Sequence, residues 1–542
     1  MTKPYTITTA ISYPNGRPHI GHAYEAIATD AFARFQRMMG RDVFFQTGTD
    51  EHGLKMAQTA RAKGISPAEL AEEMSSHFRA MDDALNISYD RFIRTTEPAH
   101  HRASQALWQA MAASDDLYLD RYEGWYSVRD EAFYDEKELT AGEGGEKLSP
   151  QGTPVEWTVE ESWFFRLSKY QQPLLDHYNA HPEFIQPDSR RNEVMRFVEG
   201  GLSDLSVSRT SFDWGVKVPG SEGHVRPAEG PQHVMPAEGS QHVMYVWVDA
   251  LTNYLTGCGY PDDPERMARY WAKGGDITHI IGKDIVRFHA VYWPAFLMSA
   301  NLPLPRQVFG HGFLLNRGEK MSKSLGNVAD PLELAERFGV DQLRYFLLAE
   351  VSFGNDGSYS AEAIVQKANS DLANSFGNLA QRTLSFIAKN LEGRLPVANA
   401  TGSKEDAELS HEVSSSCSQD IPGYFSQLAP SDAIEFWMRA VFACNAYIDA
   451  QAPWALRKTD PARMEAVLAT LYVAIGQLAI AIRPIIPASA DALLDQMGVP
   501  VDVRTYAGLT GNWYADLVAS GFTLAPPKPL FPRLELPAEA PE

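Results

Sequence analysis

Two short runs hold the residue types best suited to phosphate chemistry. The first is His19-Ile20-Gly21-His22, which follows a β-rich run and opens a helical pattern. The second is Lys320-Met321-Ser322-Lys323-Ser324, a polar stretch flanked by Gly318 and Gly326. Backbone N–H groups and the dipole at a helix N-terminus favour phosphate, and imidazoles placed there add further donors. Such donors can follow charge onto phosphate oxygens as a P–O bond breaks. Gly21 lets a nucleotide approach the backbone closely. Two lysines three apart can converge on a polyphosphate as point charges. Alone, the histidines read equally as helix-start residues without a ligand, and the lysines read better as a solvated basic loop. Together they point to attack at a nucleotide phosphate.

Other residues could complete such a site. Gly282-Lys283-Asp284 follows the apolar run Ile277–Ile281, and His289 comes shortly after. Ligands of open α/β sheets bind beyond the carboxyl ends of strands. A carboxylate at Asp284 can accept both ribose hydroxyls, with Gly282 clearing room for the sugar, or it can simply cap the next helix. Trp247 and Tyr254 share a face if their segment is helical, and plain core aromatics are the other reading. Asn374, Asn378 and Arg382 are spaced by four and line one helix face. Without further context they read as a polar face, and Trp454 reads as a tryptophan after the helix-stopping Pro453.

The elements that must position these residues alternate between strand and helix. Tyr5–Ile11 is β-rich and ends at the turn Ser12-Tyr13-Pro14-Asn15-Gly16. Residues 21–39 predict a helix, with Ala23, Ile27, Ala31, Phe35 and Met38 at helical spacing. Residues 42–46 predict a second strand, leading to Gly48-Thr49-Asp50-Glu51-His52-Gly53. Strand, helix, strand at this pitch predicts an α/β fold with a parallel sheet. From about Ser114 to Gly223 the chain turns aromatic and acidic and reads as an insertion. Alternation resumes over 243–255 and 277–281. Beyond Ala361 the pattern is almost wholly helical, and the Pro-rich tail after Thr523 predicts an extended surface segment.

Composition sets bounds. The chain has 542 residues, enough for about two to four domains. It is 44% hydrophobic and 22% charged, a globular balance. No unbroken run of about 18 apolar residues occurs, so no membrane span is expected. The N-terminus lacks a signal-peptide pattern, which predicts a cytoplasmic protein. Cys258, Cys417 and Cys444 form no C-x-x-C pair and read as reduced thiols. The net charge of −21 argues against a general nucleic-acid binder, so any such contact must use a local basic patch. Pro227–Met235 and Pro236–Met244 form a near-identical tandem repeat, too short for a solenoid, and read as a tolerated surface-loop insertion.

The two opening runs, in this order, resemble the HIGH and KMSKS signatures of class I aminoacyl-tRNA synthetases. The stretches Ala10–Tyr13, Gly48–Gly53, Tyr245–Leu251, Arg287–His289, Asn378–Arg382 and Pro453–Trp454 narrow the resemblance to the methionyl-tRNA synthetases, from Thr6 to about Ile485. The resemblance implies a Rossmann-like catalytic domain in two halves, 1–114 and 224–310, around a connective-peptide insertion, 115–223. A KMSKS-loop and stem-contact region, 311–362, a helical anticodon-binding bundle, 363–525, and the tail, 526–542, follow.

It also implies roles. His19, His22, Lys320 and Lys323 are catalytic. Pro14, Asn15, Gly21, Gly282, Asp284, Met321, Ser322 and Ser324 join them in binding ATP, which arrives with Mg²⁺. Asp50 pairs with the α-ammonium of L-methionine. Ile11, Tyr13, Trp247, Leu251, Tyr254 and His289 form the side-chain pocket, an aromatic box that suits a polarizable thioether. Tyr13 and His289 can add weak donors to sulfur. Asn378, Arg382 and Trp454 read the anticodon of initiator and elongator tRNA(Met), where an unstacked base can lie on Trp454.

Residues 125–152 lack the cysteine zinc knuckle of many family members, so no structural zinc is expected and aromatics such as Trp125, Tyr126, Phe133 and Tyr134 must hold the insertion. The insertion is also too short for a large editing domain, and no appended C-terminal domain is visible, which predicts a monomer. A class I synthetase for another apolar amino acid, a non-catalytic tRNA-binding paralogue and a small-molecule adenylating enzyme remain as alternatives.

Overall fold

The computed structural model describes residues 3–127, 132–142, 145–210, 212–220, 241–319, 328–397, 403–510 and 512–536. Strand β1 (Tyr5–Thr9) is buried along its whole length, as a strand covered on both faces must be. It is followed by α1 (Ile20–Met38), β2 (Val43–Thr49), α2 (Leu54–Lys63), α3 (Pro67–Ala84), β3 (Arg91–Arg94) and α4 (Pro98–Ala113). The chain then forms an antiparallel unit from β4 (Leu117–Ser127), β5 (Ala132–Tyr134), the short pair β6 (Thr140–Ala141) and β7 (Lys147–Leu148), and β8 (Glu156–Phe165). Strands β4 and β8 pair from Leu117↔Phe165 to Tyr126↔Glu156. Trp125 packs edge-on against Trp157, and Lys147 Nζ lies 4.0 Å from the Trp125 ring centroid.

Next come α5 (Gln171–Ala180), β9 (Ile185–Gln186), α6 (Asp188–Glu199), β10 (Leu205–Ser206), β11 (Ser208–Arg209) and β12 (Val243–Met244). The α/β alternation returns with α7 (Val246–Gly257), α8 (Pro264–Tyr270) and β13 (Asp276–Gly282), then a π-helical turn, Phe288–Tyr292, leading into α9 (Trp293–Ser299) and β14 (Gln307–His311). Strand order in the central sheet is β3-β2-β1-β13-β14-β9, and every pair is parallel. Ile185–Gln186 thus adds to the edge of the central sheet, so the segment 115–223 does not stand wholly apart from it. Chain order reverses between β1 and β13, and open sheets of this kind bind ligands at that switch point.

Strands β15 (Leu314–Asn316) and β16 (Gly357–Tyr359) pair in parallel, with α10 (Pro331–Phe338) and α11 (Val340–Glu350) between them in sequence. Lys320, Met321, Ser322, Lys323 and Ser324 also fall in that interval and lie outside the described residues. So does most of the tandem repeat, up to Ser240.

The remainder is helical: α12 (Ala361–Lys367), a π-helical stretch Ala368–Gly377, α13 (Asn378–Asn390), α14 (Lys404–Ser415), α15 (Ile421–Ser426), α16 (Pro430–Gln451), α17 (Pro453–Thr459), α18 (Pro461–Ile482), α19 (Pro487–Gln496) and α20 (Trp513–Ser520). Among the described residues, helix α18 alone is long and apolar enough to cross a membrane by length and composition. Its mean hydropathy reaches 1.8 over an 18-residue window, and 83% of that window is buried. Glu465, Thr470 and Gln477 break its apolar run, so no unbroken run of about 18 apolar residues occurs, as the sequence reading has it. It packs against α14, α16, α17 and α19 as the central core helix of the bundle. The tail lies extended, tied by Leu524 N–H to the Gly393 carbonyl at 2.8 Å and by Asn369 to Leu534.

A buried guanidinium joins the bundle to the sheet. Arg344 of α11, fully buried, reaches Asp30 of α1 at 2.6 Å, the Leu85 carbonyl beyond α3, and the Pro484 and Ile485 carbonyls beyond α18. Burial alone would raise the Asp30 pKa, but Arg344 and Arg34 outweigh it and hold the carboxyl below its ordinary value.

Candidate functional site

His19 is the N-cap of α1. Its Nδ1 accepts the Gly21 N–H at 3.1 Å, and His22 Nδ1 accepts the His19 N–H at 3.1 Å, a capping box built from two imidazoles. Because each Nδ1 accepts, each neutral ring carries its proton on Nε2. The ring centroids are 3.9 Å apart. A Cβ on Gly21 would lie 2.9 Å from His19 Cε1. The glycine expected to admit a nucleotide is therefore needed first to seat the His19 ring.

The switch point brings other groups to this helix start. Ile20 N–H donates to the Ala329 carbonyl at 3.1 Å, so the chain just beyond the lysine run meets α1 here. Asp284 is exposed beyond β13, and a Cβ on Gly282 would meet its Oδ1 at 2.7 Å. The turn Lys283–Ile285 starts without a side-chain cap, so capping does not account for Asp284. Lys283 pairs with Asp356 at 2.7 Å. Pro14 is buried and Asn15 exposed, in the turn that leads into the helix.

Two charged groups beneath the site were not legible in the sequence. Glu25 Oε1 accepts the Ala10 N–H at 3.0 Å, and Oε2 accepts from His311 Nε2 at 2.8 Å. His311 Nδ1 donates to the Gly312 carbonyl at 2.8 Å, so opposite an ionised Glu25 both ring nitrogens donate, as an imidazolium does. Burial opposes that charge, but Glu25 outweighs it and the His311 pKa is raised. The available signal was that Glu25 lies three residues after His22, on the same helix face.

An aromatic pocket adjoins the switch point. Trp247 stacks on Phe288 with centroids 3.8 Å apart and meets His289 edge-on at 6.1 Å. Tyr254 Oη donates to His289 Nε2 at 2.7 Å, and His289 Nδ1 donates to the Ile285 carbonyl at 3.0 Å. Burial pulls the His289 pKa down to about 4, so the ring is neutral. Its single N–H is committed to Ile285, which corrects the expectation that His289 gives a donor to sulfur; it presents ring surface instead. The π-helical turn that carries it is a common device at functional sites.

Leu251 is buried on α7 in line with Trp247 and Tyr254. Ile11 and Tyr13 follow β1, and Tyr13 Oη accepts the Met56 N–H at 3.1 Å. Asp50 sits just beyond β2, its N–H on the Ser12 carbonyl at 2.9 Å. His279, a histidine inside the apolar run of β13, was missed. It is buried, bonds Thr8 Oγ1 at 2.9 Å and lies 4.1 Å from the Tyr254 ring, ring centroid to ring centroid.

Residues 5–384 match the family model described as "tRNA synthetases class I (M)", and residues 396–538 match "Anticodon binding domain of methionyl tRNA ligase". The chain belongs to the methionyl-tRNA synthetases. It is 55% identical to the methionine–tRNA ligase of Brucella suis over 98% of both chains. It is 52% identical to that of Mycobacterium tuberculosis over 100% of this chain and 99% of the relative. It also resembles the solved M. tuberculosis methionyl-tRNA synthetase in complex with methionyl-adenylate, with a TM-score of 0.90, 52% identity and coverage of 98% of this chain and 100% of that one. Against the free-state structure of that enzyme the TM-score is 0.84, with 48% identity and 99% coverage of each chain.

The synthetase has a second concave site in its helical part. A cavity of about 250 Å³ opens between α13, α16 and α17, where Arg382 and Trp454 meet Phe386, Lys389 and Asn390. The Arg382 guanidinium lies 5.5 Å from the Trp454 ring centroid and pairs with Asp449 at 2.7 Å. Trp454 is 47% exposed, held at the start of α17 by the left-handed Ala452. Asn378 and Asn374 are exposed one and two turns before Arg382, outside the cavity wall, and Asn374 lies in the π-helical stretch. Among the described residues of the synthetase, no group of three His, Cys, Asp or Glu is placed to hold a metal ion.

Proposed function

We propose that this chain is a methionine–tRNA ligase. It joins L-methionine to ATP, giving methionyl-adenylate and pyrophosphate, and transfers the methionyl group to tRNA(Met), initiator and elongator alike. The observation that carries the reading is the convergence, at one switch point, of the paired histidines, the exposed Asp284 and the aromatic pocket. It acquires its specific meaning from the full-length likeness to methionine–tRNA ligases.

In the first step the methionine carboxylate attacks the α-phosphorus in line, and the bond to pyrophosphate breaks. The Nε2–H groups of His19 and His22 donate to the phosphate oxygens that gain charge. Lys320 and Lys323, with Met321, Ser322 and Ser324, close on the triphosphate, in keeping with the position of Ala329 against the start of α1. Pro14, Asn15 and Gly21 line the nucleotide's path, and Gly282 and Asp284 take the ribose. Asp50 pairs with the α-ammonium, while Ile11, Tyr13, Trp247, Leu251, Tyr254 and His289 enclose the thioether. Mg²⁺ would enter with the nucleotide and would supply positive charge at the triphosphate.

In the second step the hydroxyl of the tRNA's terminal adenosine attacks the adenylate carbonyl and AMP leaves. Catalysis is positioning and charge stabilisation, without a covalent enzyme intermediate.

The same reading assigns 1–114 and 224–310 to catalysis, 115–223 to the connective peptide, 311–362 to the KMSKS loop and stem contact, and 363–525 to the anticodon, with 526–542 as tail. Asn378, Arg382 and Trp454 serve the anticodon. The enzyme acts as a cytoplasmic monomer. Trp454→Ala tests the division of labour: tRNA charging falls by about 5- to 150-fold while methionine-dependent pyrophosphate exchange is kept, since a stacked base is worth about 1–3 kcal/mol. Equal loss of both activities would contradict the anticodon assignment.

A further inference from the structure

Helix α7 has two working faces. Trp247, Leu251 and Tyr254 recur at i, i+4 and i+7 and form the pocket wall. Asp249, Asn253 and Thr256 recur at the same spacing, turned from them by about 200°. This second face is polar and fully buried, and each of its residues is bonded to another element. Asp249 Oδ2 accepts from His52 Nδ1 at 2.6 Å, and Oδ1 accepts from His100 Nε2 at 2.6 Å. His100 Nδ1 bonds Thr256 Oγ1 at 3.0 Å. Gln46 of β2 donates to Asn253 Oδ1 at 2.6 Å.

Asp249 and His100 are fully buried, and His52 is 3% exposed. Burial would raise the Asp249 pKa, but the two imidazoles outweigh it and hold the carboxyl well below its ordinary range. A buried charge of this kind is costly, and its usual return is a fixed arrangement rather than stability.

What it fixes is set by sequence distance. His52 lies two residues beyond Asp50 in the loop that follows β2. The rest of that loop is also bonded: Asp50 N–H to the Ser12 carbonyl, Glu51 N–H to Thr95 Oγ1 at 2.9 Å, and Trp214 Nε1 to the Glu51 carbonyl at 2.6 Å. Through His52 this rigid loop is fastened to the helix whose other face carries Trp247 and Tyr254. We propose that Asp249, gripped by His52 and His100, is a positioning residue for the amino-acid substrate, setting the spacing between the ammonium-binding Asp50 and the pocket wall. One substrate must reach both groups at once, so any slip of α7 along the loop lets only one of them be satisfied. The proposal rests on the assignment of Asp50 and Trp247 to the amino acid.

Pyrophosphate exchange with Asp249→Asn tests it. An asparagine can accept from one imidazole but turns an N–H toward the other, so one bond is lost. The expected result is a KM for methionine raised about tenfold or more, with the KM for ATP within about twofold of wild type. Folded Asp249→Asn with an unchanged KM for methionine would overturn the proposal. If Asp249→Asn does not fold, His100→Gln is read in the same way, and an unchanged KM for methionine there overturns it equally. Asp50→Ala separates the two layers. If it leaves the KM for methionine unchanged, the pocket assignment fails and takes the proposal with it. If Asp50→Ala raises that KM and the Asp249 and His100 variants do not, the positioning role alone fails.

Discussion

A methyl group on Gly21 would press on the end of a rotatable imidazole rather than on backbone, lying 2.9 Å from His19 Cε1 and 3.0 Å from its Nδ1. Gly21→Ala is thus expected to turn His19 out of its cap while the fold adjusts easily. Pyrophosphate exchange should fall about tenfold or more, from the loss of an aligned donor. The melting temperature should stay within a few degrees; a large drop would show that the glycine serves the backbone instead. His289 makes a prediction about acid. Its pKa falls from 6.5 unfolded to about 4 folded because it is buried. The unfolded chain therefore takes up a proton first, and stability that is full above about pH 6.5 is lost as the pH drops toward 4. One pKa unit is worth about 1.4 kcal/mol, so this residue accounts for about 3 kcal/mol over that window. His279, buried with its pKa lowered as well, acts in the same direction. Urea midpoints between pH 7 and 4.5 should fall less steeply for His289→Gln than for wild type; parallel slopes would contradict the assignment.

At the scale of elements, Arg344 links α11 to α1, to the end of α3 and to the turn after α18. Arg344→Met keeps the bulk but leaves Asp30 with Arg34 as its remaining cation and strips partners from buried carbonyls. Breaking such a pair costs about 3–5 kcal/mol, read as a lower urea midpoint. A loss below about 1 kcal/mol would show that the cluster does not hold catalytic helix and bundle together. Much of this architecture was legible in the sequence. The strand–helix alternation, the helix predicted over 21–39 and found at Ile20–Met38, and the helical region beyond Ala361 all follow from local patterning. Chemistry that depends on distant partners was not legible. Nothing local pairs Glu25 with His311, or Asp249 with His52 and His100, because those partners are set by sheet order. The donor role of His289 failed for a local reason: its Nδ1–H goes to the carbonyl of Ile285, four residues back, at the entry to a π-helical turn that the spacing of residues does not announce.

At the scale of the whole molecule, the chain keeps an aromatic pocket beside the switch point and a groove beside Trp454 on different parts of one fold. The net charge of −21 is compatible with tRNA because recognition can rest on a few placed cations and an exposed indole. Lys389 and Arg382 line the groove beside Trp454. In the proposed reading, His19 and His22 serve the nucleotide phosphate, while the Trp247–Tyr254 wall selects the acid that attacks. The central claim is that this wall takes methionine. ATP–pyrophosphate exchange measured with each standard amino acid in turn tests it most directly. The account predicts robust exchange with methionine and far weaker exchange with leucine, isoleucine and valine; exchange that favours one of those three, or none with methionine, would contradict it.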